Sequence, residues 1–251
     1  MSSFWVDSSE VDGDRIVLLE EEAHHLCKVR RLLCNDLVDV TDGKGKFFKV
    51  RLETVTSKRV EGVIVERFSE KAESKVNLFL SQSLIKGGRF DGVIEKATEV
   101  GVVAIYPHYS RRGMSFNLSN TKTQRWRRLA KAAIKQSGRS RLPEISDPVE
   151  YFTVLKILQR KCDVIFIGGL GEQPLSIDGL VKAEKSTINV GLLVGPEGGF
   201  TSGEISQAVE IGASPFSWGD RVLRADTAGV VFSALLISLF ETELHVREGR
   251  K

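Results

Sequence analysis

The sequence predicts a two-part protein, a small β-rich barrel followed by an α/β domain on a largely parallel sheet. Three observations predict it. The residues before position 68 hold four short strand candidates and one helix. A charged, polar stretch, FSEKAESK (68–75), then changes the composition and divides the chain into residues 1–72 and 73–251. Beyond it strands and helices alternate, and several strands are unbroken apolar runs of the kind buried on both faces.

In the first part the strand candidates are RIVLL (15–19), LVDVTD (37–42), KFFKVRLETV (46–55) and KRVEGVIVERF (58–68). The third alternates, with Phe48, Val50 and Leu52 on one face and Lys49, Arg51 and Glu53 on the other. DGKG (42–45) reads as a hairpin turn. The helix is EEAHHLCKVRRLL (21–33), with glutamates early and basic residues late, as the helix dipole favours.

In the second part VNLFLSQSLI (76–85) is a strand and RFDGVIEKATEVG (89–101) a helix, with Gly101 at its C′ position. VVAIYP (102–107) is a strand. Helix 121–136 buries Trp126, Leu129, Ala130, Ala133 and Ile134. VEYFTVLKILQ (149–159) is a helix, and DVIFIGG (163–169) and INVGLLVG (188–195) are buried strands. The next helix opens with a capping box, Thr201 at N-cap and Glu204 at N3, and Gly212 ends it. ASPFSWG (213–219) gives a last strand. The final helix, 227–244, is apolar on nearly every face, which predicts burial all round, in a core or a subunit interface.

Composition narrows the function classes. No charge-poor apolar run reaches the roughly 20 residues of a membrane span, and the N-terminus lacks an apolar signal segment. The expectation is a cytoplasmic protein without a membrane partner. Three cysteines (Cys27, Cys34, Cys162) read as free thiols, and four scattered histidines show no metal-ligand spacing. Charge is unevenly placed. Between Glu99 and Glu144 there is no acidic residue and there are ten basic ones, leaving 26 basic against 33 acidic residues elsewhere. A solvated helix face ordinarily mixes signs, so this block points to a polyanion.

Three glycine-bearing loops follow strands of the second part: GGLGE (168–172), GPEGGF (195–200) and GDRVLRADT (219–227). Ligands of parallel α/β sheets bind beyond the carboxyl ends of strands, so the three loops are candidates to converge. None completes a phosphate-binding fingerprint. Pro196 and Glu197 distinguish 195–200 from a plain tight turn, and they suit a cationic or hydroxylated ligand. Arg221 and Arg224 are suited to a phosphate or delocalised anion. Asp226 and Thr227 are candidate caps of the last helix.

LLVGPEGGFTSGE followed by WGDRVLRADTA resembles the 16S rRNA uridine-N3 methyltransferases of the SPOUT superfamily. HHLCKVRRL (24–32), RFDGVIEKATEVGV (89–102) and KQSGRSRLPEI (135–145) resemble further signatures of that family. The resemblance covers nearly the whole chain. It implies a PUA-like barrel, then an α/β domain with a deep C-terminal trefoil knot. It implies S-adenosylmethionine (SAM) as methyl donor, a homodimer, and as substrate one uridine of the 16S rRNA decoding region in the 30S subunit. Rival readings are another SPOUT enzyme, acting on a ribose 2′-oxygen or a tRNA base, and a non-catalytic RNA-binding assembly factor.

Carried onto this sequence, the cofactor-binding candidates are Leu170, Gly171, Gly195, Pro196, Glu197, Gly198, Gly199, Trp218, Gly219, Val222, Leu223, Thr227 and Ala228. The catalytic candidates are Arg224, to stabilise the uracil anion, and Asp226 and Glu197 as bases; Arg139 is a second anion-stabilising candidate. Asp226 stands where the family usually has glutamate, one methylene longer. The RNA-binding candidates are Arg30, Arg31, Arg111, Arg112, Arg127, Arg128, Lys135, Arg139 and Arg141.

Overall fold

The computed structural model describes residues 2–113, 120–169 and 186–248. The chain forms two compact units, Met1–Glu73 with Lys131–Leu142, and Ser74–Ala130 with Pro143–Lys251.

The first unit holds strands β1 (Phe4–Trp5), β2 (Val11–Asp12), β3 (Arg15–Leu19), β4 (Leu37–Thr41), β5 (Lys46–Val55) and β6 (Arg59–Ser69) in the order β1-β4-β5-β6-β3-β2. Only β1–β4 is parallel. No β1–β2 pairing closes the ladder among the described residues, so hydrogen bonds do not seal the expected barrel. Two register shifts in β5, at Lys49/Val50 and Leu52/Thr54, bend the longest hairpin. The alternation read in β5 puts Phe48, Val50 and Leu52 in the core with Val38, Val40, Val60 and Ile64. At the β4–β5 turn the Asp42 carboxylate accepts from the Lys44 and Lys46 amides at 2.8 and 3.0 Å, which holds the reversal.

The helix expected over 21–33 is shorter. It runs as α1 (Glu20–His24), widens into one π turn (His25–Val29), and ends because Arg31 takes a left-handed φ of 54°. Arg30 and Arg31 therefore lie on the chain reversal beyond it, both exposed.

The second unit holds β7 (Val76–Ser83), α2 (Arg89–Glu99), β8 (Ala104–Tyr109), α3 (Asn120–Ser137, ending in the first unit), β9 (Glu144–Ile145), β10 (Val149–Glu150), α4 (Tyr151–Lys161), β11 (Val164–Gly168), β12 (Ile188–Val194), α5 (Ser202–Glu210), β13 (Ala213–Phe216) and α6 (Ala225–Glu248). The sheet order is β10-β8-β7-β12-β11-β13, with β9 also on β8, and every pairing is parallel. All carboxyl ends therefore share one edge.

Local chemistry explains most boundaries. Gly101, at φ 111°, closes α2 in a Schellman turn: Val102 N–H donates to Ala97 O at 3.1 Å and Gly101 N–H to Thr98 O at 3.2 Å. Val102 is spent on that turn, so β8 starts at Ala104 rather than 102. The Thr201–Glu204 capping box is present, and Gly212 (φ 88°) ends α5. Val149 and Glu150, expected as helix, pair instead with His108 and Tyr109 of β8, because an open sheet edge outweighs a local helical pattern.

α6 lies against α2, β7 and β12 and buries Phe232, Leu236, Ile237, Phe240 and Leu244. The expectation of burial all round fails within one chain: Val231 and Leu235 are half-buried, and Leu239 and Val246 are 38% and 44% exposed. The expectation that no run is long enough for a membrane also needs correction. Ala225–Val246 is a helix long and apolar enough by length and composition, with 44% of that window buried. Asp226 at its start and Glu241 and Glu243 near its end hid this in the sequence, because they shorten the strictly uncharged run.

Candidate functional site

At the shared edge, the loops after β11, β12 and β13 meet around a cavity of about 500 Å³. Gly168 and Gly169 supply one wall, residues 194–197 with Gly199 and Phe200 a second, and Ser217 with 219–225 a third, while Ala228 and Phe232 of α6 close the floor. Gly168 is required by close approach. A Cβ there would stand 2.8 Å from the Phe232 ring, inside contact distance.

Loop 195–200 is held at several points. The Gly199 amide, at φ 67°, donates to Pro196 O at 2.9 Å and makes a tight turn. Phe200 anchors the loop beneath the surface, stacked on His108 (9° between planes) and 5.4 Å from Tyr151. Arg112 Nη1 donates to Gly198 O and Phe200 O at 3.2 and 3.4 Å. Arg89 Nη2 pairs with Glu197 at 2.9 Å. The buried Glu204 carboxylate accepts from Arg111 N–H at 2.9 Å and from Thr201 N–H and hydroxyl at 2.8 Å each. The loop is thus prefixed by groups outside it, as a binding wall needs to be.

His108, on β8 beneath this loop, is fully buried with Nδ1 2.8 Å from Ser81 Oγ. Burial pushes its pKa down from 6.5 to about 3, so the imidazole is neutral at ordinary pH. The unfolded chain binds this proton below pH 6.5 and the folded chain does not until about pH 3, so stability falls as pH drops through that window. Between pH 7 and pH 5 the expected loss from this group is about 2 kcal/mol. Urea unfolding at the two pH values checks it: His108→Gln should lack this increment, and equal losses in both proteins would show that other groups set the slope.

Most sequence-chosen residues meet at the cavity. Gly195, Pro196, Glu197, Gly199, Gly219, Val222, Leu223, Arg224 and Ala228 line it. Gly198 stands one residue off the lining, bound through its carbonyl to Arg112. Trp218 and Thr227 fall outside the wall. Trp218 turns outward, 45% exposed, with the Arg221 guanidinium 5.7 Å from its ring centre, and Thr227 is on the exposed side of the first turn of α6. Asp226 is also off the lining. Its Oδ1 is buried without a hydrogen-bond partner, and helix α6 starts at Ala225, so neither Asp226 nor Thr227 is the N-cap. Leu170 and Gly171 lie outside the described residues.

Phe200, Phe232, Asp220, Arg221 and the Gly168–Gly169 pair were not among the cofactor-binding candidates but line the cavity. Phe232 had a readable signal, since it follows Ala228 by one helical turn. The Arg89–Glu197 and Arg112–loop contacts had none.

The basic block changes most. Its acid-free sequence acquires acids in space: Arg125 pairs with Asp91 at 2.9 Å, and Arg127 with Asp147 at 3.9 Å. In the first unit Lys135 pairs with Glu22 at 2.5 Å and Arg141 with Glu70. Arg139 is a correction to both of its assigned roles. Its side chain is 2% exposed and makes two hydrogen bonds to Glu73, at 3.2 and 2.7 Å, so it is spent inside the first unit. Lys135, only 17% exposed, is likewise withdrawn from a docking surface. Arg111, Arg112, Arg127 and Arg128 remain exposed in the second unit. Lys122, Arg125 and Arg128 line a further open cavity of about 490 Å³.

Comparison with known proteins agrees with this architecture. Residues 72–237 match the model of an RNA methyltransferase domain, and residues 13–65 that of an RNA methyltransferase PUA domain. The chain is 30% identical to the ribosomal RNA small subunit methyltransferase E of Synechocystis over 228 residues, covering 90% of this chain and 74% of that protein. It is 27% identical to the Bacillus subtilis protein of the same name, covering 89% of each. The crystal structure of the Neisseria gonorrhoeae enzyme of that name, bound to S-adenosylmethionine, superposes with a TM-score of 0.82 at 28% identity, covering 95% of this chain and 98% of that one. The RNA methyltransferase domain and RNA methyltransferase PUA domain models together cover most of the chain, and the chain belongs to the RNA methyltransferase family.

Proposed function

We propose that this protein transfers a methyl group from SAM to N3 of one uridine in the decoding region of 16S rRNA, presented in the 30S subunit. The observation that carries the reading is the three-loop cavity with Arg224 on its wall. Relatives named small subunit methyltransferase E support the choice of rRNA.

The residues present fit SAM. A volume of about 500 Å³ is in the small-ligand range. Val194, Leu223, Ala228 and Phe232 offer apolar surface, and the glycine-rich backbone offers hydrogen-bonding groups at close approach. Glu197, oriented by Arg89, suits a hydroxylated ligand better than a phosphate. When bound, SAM supplies an electrophilic methyl on a cationic sulfur.

The chain supplies the rest. Uridine N3 carries a proton and becomes a good nucleophile only as the anion, whose charge spreads over O2, N3 and O4. Arg224 stabilises that anion, since a planar guanidinium matches a delocalised charge in geometry. Glu197, on the lining, and Asp226, beside it in the first turn of α6, are the carboxylates available as bases. Arg111, Arg112, Arg127 and Arg128 face RNA, whose folded form is met mostly through shape and phosphate. The uncovered apolar face of α6 supports a homodimer. The late strand β12 lies between the earlier strands β7 and β11, an order compatible with the trefoil knot of SPOUT enzymes. The site of action is the cytoplasm, where ribosomal subunits are assembled.

The test is methyl transfer in vitro from labelled SAM to small subunits that lack the modification, followed by mass spectrometry of the nucleosides. The expected product is 3-methyluridine. Label on a ribose oxygen, or in tRNA alone, would point to another SPOUT activity. SAM binding without transfer would point to an assembly factor.

A further inference from the structure

We propose that a second cavity at the carboxyl edge holds one unpaired, amino-bearing nucleobase of single-stranded RNA, next to the nucleotide offered to the first. The assignment rests on the RNA reading above. The cavity, about 610 Å³, lies between the ends of β8 and β10 and the start of α5. It shares a wall with the first cavity: Phe200 lines one and the next residue, Thr201, lines the other. One strand of RNA can therefore pass from one to the other around a single segment of backbone.

The lining is matched to a nucleotide. Phe152 forms part of the wall and is 57% exposed, although it stands beside the buried Tyr151. An open aromatic ring in a wet cavity is a platform on which a base can stack. Cations flank it: Arg111 is exposed on the lining, and Lys156 Nζ lies 4.3 Å from the Phe152 ring centre. They suit the phosphates on either side of a stacked base. Part of the polar lining is unspent. Ser110 Oγ is buried without a partner, and the Glu150 side chain makes no capping bond although Glu150 is the N-cap of α4. Gln207 adds an exposed amide.

Glu150 favours an amino-bearing base, which brings an amino group to a carboxylate where uracil offers only its N3–H. A free anion would be repelled by Glu150. An ionised carboxylate is an acceptor only, and it pairs with an exocyclic amino group. Adenine, cytosine and guanine carry one and uracil does not. An apolar helix of a protein partner would leave Glu150 and Ser110 unpaired in the interface, which costs binding energy.

Fluorescence anisotropy with short labelled oligoadenylate and oligouridylate tests this, with SAM affinity measured on the same proteins. The wild type should prefer oligoadenylate. Phe152→Ala should weaken oligoadenylate binding about tenfold, with SAM affinity unchanged, and Phe152→Trp should restore it. Glu150→Gln should reduce the preference for oligoadenylate. Unchanged oligoadenylate affinity in Phe152→Ala would overturn the proposal, and it is also the result expected if a protein partner fills the cavity. The methylation reading is scored separately: RNA bound through Phe152 without methyl transfer by the wild type would overturn that reading and support the cavity assignment.

Discussion

Replacing Arg224 by alanine is expected to slow methyl transfer by about a hundred- to a thousandfold, the usual cost of removing one stabiliser of a developing anion. SAM affinity should change by no more than about threefold, the size of a minor binding contact. The separation follows from where Arg224 stands. It is exposed on the cavity wall, and among the described residues no carboxylate pairs with its side chain. Its backbone carbonyl accepts the Ala228 amide at 2.7 Å, so the first turn of α6 keeps its anchor whatever side chain is present. Arg224→Lys should fall between the two, because an ammonium is a point charge without the planar fork. Single-turnover rates and calorimetry on the same proteins decide it. A loss of SAM affinity as large as the loss of rate would place Arg224 in cofactor binding and overturn its role toward the base.

Replacing Arg139 by alanine is expected to cost about 3–5 kcal/mol of stability, the range for breaking a buried ion pair from one side. The arginine and Glu73 are 2% and 6% exposed. Glu73 also accepts the Ser140 and Arg141 amides at 2.9 and 2.8 Å, so its carboxylate is built into the first unit and cannot turn to water. Removing Arg139 leaves that charge buried with neutral donors only, the two amides and the Ser140 hydroxyl at 3.4 Å. Glu73→Gln combined with Arg139→Met should recover part of the loss, since the charge is removed with its partner. Urea denaturation provides the measurement. A folded Arg139→Ala protein within about 1 kcal/mol of wild type that has lost RNA affinity would return Arg139 to the docking surface.

The Arg139 case shows where the sequence reading stops. Ten basic residues without an intervening acid looked like one polyanion surface. Among the described residues at least five of them take an acidic partner from elsewhere in the chain: Arg125, Arg127, Lys135, Arg139 and Arg141. Glu22, which pairs with Lys135, is 113 residues away in sequence. Charge segregation along a chain becomes charge segregation on a surface only where folding brings in no counter-charge.

The cavity was more legible. Glycine-bearing turns after parallel strands announce themselves, because close approach and tight reversal both need glycine, and parallel pairing puts their strand ends on one edge. The side on which a residue faces was not legible. Trp218 turned out of the wall, a direction that does not follow from loop composition.

What the sequence by itself determined is the local grammar. The alternation of β5, the capping box of Thr201 and Glu204, the Schellman stop at Gly101 and the glycine turn after β12 follow from interactions within a few residues. Only the tertiary structure decided which charges are spent, which face of α6 stays uncovered, that His108 is buried under loop 195–200, and that Arg89 and Arg112 hold that loop in place. Periodicity and caps act over one or two turns of chain. Burial and charge pairing depend on partners tens of residues away, which come together only when the sheet is assembled.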